Sequence, residues 1–121
     1  MTGRPSRPLA TATVAGTLLQ LAMVVSGHYA PAVANLFAAG GMSISAIAGV
    51  FYAVLARPAG AGAAAAGGAV AGGISAFLGI LVSYLLGDVP AAVLGFGTAG
   101  SAVSGLLGGV LGKFIAGRRT A

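Results

Sequence analysis

Residues 40–53 read GGMSISAIAGVFYA, and every fourth position from residue 41 holds a small side chain: Gly41, Ser45, Gly49, Ala53. Shifted by 59 positions the chain reads AGSAVSGLLGGVLG, with Gly100, Ser104, Gly108 and Gly112 in the same slots. A third row runs Gly67, Ala71, Ser75, Gly79, Ser83, Gly87. Small residues four apart let two helix backbones approach closely, which is how helices associate where lipid tails remove the hydrophobic driving force. The rows therefore read as helix-packing faces in a membrane.

Composition points to the same medium. The chain of 121 residues is 58% hydrophobic and 6% charged, with a mean hydropathy of +1.03. A soluble domain carries about 25% charged residues. One acidic residue and six Lys or Arg do not cover a water-facing surface of this size. The net charge of +5 invites a nucleic-acid reading, but the basic residues stand at the edges of apolar runs and form no patch. No nucleic-acid partner is expected. Cysteine is absent, which leaves no disulfide or thiolate metal site, and no cofactor is implied.

Charge and proline divide the chain into apolar segments over residues 9–27, 30–56, 61–86 and 89–116. About 20 apolar residues suffice to cross the hydrocarbon core. Backbone groups in lipid need internal partners, so each segment is a helix or a barrel strand. The ten-residue polar/apolar alternation of barrel strands is missing. The expected fold is an all-α membrane protein of four transmembrane helices in a single domain. Four crossings put Arg4, Arg7, Arg57, Lys113, Arg118 and Arg119 on one side and His28 and Asp88 on the other. Basic residues stay cytoplasmic, so both termini are expected inside, in a membrane of the bacterial inner-membrane kind. Tyr29 and Tyr84 then fall at the outer interface and Tyr52 at the inner one. A competing reading takes Arg4, Arg7 and the stretch APAVAN as a secretory signal, although the apolar run is long for one.

The repeat offset pairs Pro31 with Pro90, Phe37 with Phe96, Gly16 with Ser75 and Gln20 with Gly79. Proline suits a first helical turn, where its missing N–H costs nothing. The spacing predicts two tandem hairpins, residues 9–57 and 61–118, related by a pseudo-twofold axis along the membrane normal, as in parallel repeats. The fourth span also carries Gly95, Gly97, Gly105 and Gly109 off its main row. Two small faces serve either a second subunit, making a homo-oligomer, or two neighbours within the chain.

The polar inventory is short. Serine hydroxyls are expected to bond back to their own helix or to bridge helices. Gln20 and Asn35 are costlier to place in lipid, because an amide there needs partners; they are polar glue between helices or the lining of a path. A large amide on one hairpin opposite Gly79 on the other would fit inside a paired bundle. His28 and Asp88, each the sole member of its kind, lie in the outer connections and either pair across the axis or stand solvated. Histidine changes charge near neutral pH, which makes such a pair a gate or proton relay.

No enzyme is expected: there is no second carboxylate, no metal-ligand cluster and no nucleophile–base set. A midplane free of ionisable side chains argues against an active pump. Three roles remain. One is a passive channel or facilitator. Another is a self-associating pore former of the holin kind, suggested by size, layout and the basic tail GKFIAGRRTA. The last is an accessory subunit docked on a larger membrane complex.

Overall fold

The computed structural model describes residues 6–120, and every regular element in them is helical: α1 (Ser6–Tyr29), α2 (Pro31–Ala34), α3 (Phe37–Ala56), α4 (Ala61–Leu85) and α5 (Ala92–Thr120). Four of these, all but α2, are long and apolar enough to cross a membrane. Arg4 lies outside the described residues.

The span expected over 30–56 is broken. Pro31 opens a single helical turn, then Asn35 and Leu36 form a turn in which the Leu36 N–H donates to the Val33 carbonyl at 2.9 Å. Asparagine is a weak helix-interior residue, and Pro31 supplies no N–H to extend the helix backwards. The stretch before Phe37 thus belongs to the connection at the end of the bundle opposite the termini, called the outer end below. The crossing itself is the 20 residues of α3, about 30 Å long and matched to the hydrocarbon core.

The other ends have clear stops. At α4 the N–H of Asp88 donates to the Ser83 carbonyl and that of Gly87 to Tyr84, a Schellman arrangement that needs a left-handed residue. Gly87 takes it with φ 82°, so it terminates the small-residue row of α4 instead of packing within it. α3 ends at Arg57 with φ 47°, and Pro58 then forbids continuation.

α1 packs on α3 and α4, α5 packs on α3 and α4, and α3 touches α4; α1 and α5 share no comparable interface. The bundle is built inside out relative to a water-soluble one. The largest fully buried side chains are Gln20, Ser45, Ser75 and Ser83, and the apolar core is almost all alanine, with Ala12, Ala53, Ala64 and Ala71 fully inaccessible. Large apolar groups such as Leu18, Ile47, Leu107 and Leu111 face outward. In water such a surface would be an aggregation liability; in lipid it is the solvated face. Helix length, hydropathy and this outward apolar surface together make the chain an integral membrane protein.

The small residues meet their neighbours unevenly along the rows. On α3 the whole row Gly41, Ser45, Gly49, Ala53 is buried. On α5 only the inner part engages. A Cβ on Gly108 would overlap the Ala46 carbonyl, and one on Gly112 would stand 2.7 Å from the Val50 carbonyl. At Gly100 it would meet only the Met42 methyl at 3.7 Å, and the Ser104 hydroxyl simply donates to the Gly100 carbonyl at 3.1 Å. A row of residues four apart rotates about 40° per step around a helix of 3.6 residues per turn, so its two ends cannot face one straight neighbour.

The second small face of α5 serves α4. A Cβ on Gly105 would overlap the Gly68 carbonyl, and one on Gly109 the Ala64 carbonyl. Both glycine faces of this helix are therefore used within one chain. Gly72 sits where three helices converge: its Cβ would lie 2.9 Å from the Gly105 Cα and 3.0 and 3.1 Å from the Ser45 and Ser101 carbonyls. The α4 row is likewise occupied, with Gly67 under the Tyr52 ring and Ala71 and Ser75 fully buried. Tyr52 is thus a core residue, 8% exposed, and not the interfacial anchor its position suggested. Gly67 explains this, because a residue without a side chain leaves the ring a berth inside the bundle.

Candidate functional site

Gln20 is the largest fully buried side chain. Its amide N–H groups donate to the Gly41 carbonyl at 3.0 Å and to Ser45 Oγ at 3.2 Å. A backbone carbonyl only accepts, so the amide orientation is fixed with nitrogen toward α3. Ser45 Oγ passes the connection on, donating to the Gly72 carbonyl of α4 at 3.0 Å, where Ser75 Oγ also donates at 3.1 Å. One polar spine thus joins α1, α3 and α4 through the interior. Such interhelical bonds contribute about 0.6–2 kcal/mol each in membranes. The room for Gln20 comes from Gly79 on α4: a Cβ there would stand 2.7 Å from the Gln20 Cβ. The expected juxtaposition of Gln20 and Gly79 is present.

Outward from this spine the helices part. A crevice of about 590 Å³ lies among the outer halves of α1, α3, α4 and α5. Gln20, Gly41 and Ser101 line its deep end, Met23, Phe37, Met42, Ile80, Val93 and Phe96 its walls, and Asn35 and Asp88 its rim. Gln20 lies nine residues before the end of α1, so the crevice reaches about 13 Å into the bundle. Below it the glycine contacts of α5 with α3 and α4 close the interior.

At the rim, His28 Nδ1 and an Asp88 carboxylate oxygen are 2.8 Å apart, with their side chains 32% and 25% exposed. The pair ties the end of α1 to the connection before α5, and so bridges the two hairpins. The Tyr29 ring meets the imidazole edge-on, with centroids 5.0 Å apart. Asn35, paired with Gln20 in the sequence reading as an amide needing partners in lipid, is an exposed rim residue.

Sequence reasoning places Ser83 in a packing row and gives it no role of its own. It is 1% exposed, lines the crevice, and its hydroxyl has no hydrogen-bond partner. Thr17 and Thr98 also bury unpartnered hydroxyls, but off the crevice lining. Ser83 extends the α4 row of Ala71, Ser75 and Gly79 as one more small residue; nothing in the pattern marks one serine of the row as unbonded. Among the described residues no group of His, Asp or Glu is placed to hold a metal ion.

No protein-family model, curated protein or solved structure matches this chain.

Proposed function

We propose that the protein is a passive facilitator of the bacterial inner membrane, with both termini cytoplasmic, that admits a small uncharged solute from the outer face. The observation that carries this reading is the crevice, which runs from Asp88 at its rim to the hydrogen-bonding atoms of Gln20. Its interior lining holds no charged side chain below that rim, which suits neutral cargo and gives an ion no compensation for its lost hydration. The closed inner half makes this an outward-open state, and passage requires the α3–α5 contact to loosen.

The tandem duplication belongs to the same reading. It is supported by equivalent positions that face each other: Gly16 on Ser75, Gln20 on Gly79. The halves have since diverged, because α3 packs on α4 without a matching contact of α1 on α5. Self-association would use the outward apolar faces, because the inner glycines of α5 are occupied within the chain.

The test is stopped-flow light scattering of proteoliposomes against a series of neutral solutes, including glycerol, urea and acetamide. The expected result is faster solute entry than in protein-free vesicles, unchanged by an imposed voltage or pH gradient. Entry rates equal to those of empty vesicles for every solute would overturn the reading.

A further inference from the structure

We infer that the crevice is a binding site for a neutral molecule carrying an amide N–H and carbonyl on an apolar body. This rests on the outward-open crevice of the proposed function but not on transport. Two atoms set the chemistry. Gln20 spends both amide hydrogens on α3, at Gly41 and Ser45, and its Oε1 accepts no hydrogen bond from any described residue. That oxygen lies 3.4 Å from the Cβ position of Gly41, which itself lines the crevice. Ser83 lies one turn further out along α4 than Gly79, the residue facing Gln20, and has a buried hydroxyl with no partner. The buried Ser83 hydroxyl left unmade carries a desolvation cost; a ligand carbonyl that accepts from it removes that cost, while an N–H on the same ligand donates to Gln20 Oε1 at the crevice lining.

An amide has that pairing in one planar group: its N–H donates to Gln20 Oε1 and its carbonyl accepts from Ser83 Oγ–H. Above them the walls are Met23, Met42, Ile80 and Phe96, soft and apolar, suited to an aromatic or branched body through sulfur–ring and ring–ring contact. The volume falls in the range of about 300–1,000 Å³ usual for small-molecule sites. A charged head is disfavoured, because the one carboxylate at the rim is already paired with His28. A lipid acyl chain entering from the outer leaflet is disfavoured too: it would bring methyl and methylene groups to the polar end and leave both atoms unpaired.

The experiment compares N-methylbenzamide with methyl benzoate, which replaces the N–H by an ester oxygen at nearly constant shape. Binding to the full-length protein in nanodiscs is read by ligand-observed NMR titration. The amide should bind about tenfold more tightly than the ester, the effect of losing one hydrogen-bond donor to Gln20 Oε1. Ser83→Ala should weaken both about fivefold, since both carry the carbonyl, and keep their ratio. Gln20→Met should bring the ratio to about one; should that variant fail to fold, Ala38→Trp, which fills the crevice mouth from an exposed position, should abolish binding of both. Equal affinity of the two probes in the unmodified protein, as expected of a crevice filled by acyl chains, would overturn the inference. Tight amide binding without solute flux would uphold the site and remove the facilitator; flux without amide preference would do the reverse.

Discussion

The inner and outer halves of the bundle both carry glycines and use them differently. In the inner half, Gly49, Gly105, Gly108 and Gly109 bring backbone onto backbone, so that any Cβ would overlap a carbonyl of the facing helix. In the outer half, Gly95 has nothing within 4 Å of a Cβ position and Gly100 only a methionine methyl. Glycine is thus a seal where its row faces a neighbour and an opening where the row has rotated away. Composition alone does not distinguish the two; the phase of the row around the helix does.

The comparison makes predictions of decreasing size. Gly105→Val places a branched side chain against the Gly68 carbonyl and should cost about 3 kcal/mol or more, at the upper end of overpacking penalties. Unfolding in mixed dodecyl sulfate micelles should show it as loss of the folded bundle, and an unchanged transition would break the inner-seal account.

Gln20→Leu removes the link from α1 to α3 and should cost about 1–3 kcal/mol in the same titration. A smaller penalty than for Ser104→Ala would show the spine to be incidental, since Ser104 bonds only within its own helix.

Breaking the rim pair should matter least among the polar contacts. Asp88→Asn is expected to cost under about 1 kcal/mol, given partial exposure of both groups. Its readout is faster hydrogen exchange confined to the outer ends of α1 and α5; protection lost throughout the bundle would mean the pair holds the hairpins together.

At the far end of the scale, Gly95→Ala fills open space on a helix and should be neutral or stabilise by up to about 1 kcal/mol. Arg57→Gly should also stabilise slightly, because a non-glycine residue in the left-handed region costs about 1–2 kcal/mol, offset in part by the greater freedom of glycine in the unfolded chain.

Much of this architecture is legible in the residues alone. Four apolar runs between charges and prolines become four spanning helices, since length and hydropathy are set by the lipid and not by the neighbours. The small residues of α3 stand four apart in the sequence and are buried in the bundle, and Gln20 lies against Gly79 because that glycine leaves room for it. The break at Asn35–Leu36 is hidden because an apolar sequence runs straight through it, and only the hydrogen bonds turn. The engaged face of α5 is half legible: Gly108 and Gly112 stand on the row, while Gly105 and Gly109 stand off it on a second face that is equally tight. Depth along its helix assigns Tyr52 to the interface, whereas its direction is decided by Gly67 on another helix. His28 and Asp88 are legible as partners or as solvated residues, and their approach depends on how two connections fold over each other. The role of Ser83 is not legible at all, because an unmade hydrogen bond leaves no mark in a pattern of small residues.

The contrast between sealed and open halves is tested most directly by thiol accessibility, made simple by a chain without native cysteine. Val93→Cys lines the outer crevice, and Ser75→Cys is a near-isosteric change at a fully buried site beside the spine. In sealed proteoliposomes of defined orientation, a small membrane-impermeant methanethiosulfonate should modify the cysteine at 93 from the side opposite the termini and leave the one at 75 unmodified from either side. Modification of the cysteine at 75, or none at 93, would contradict the account.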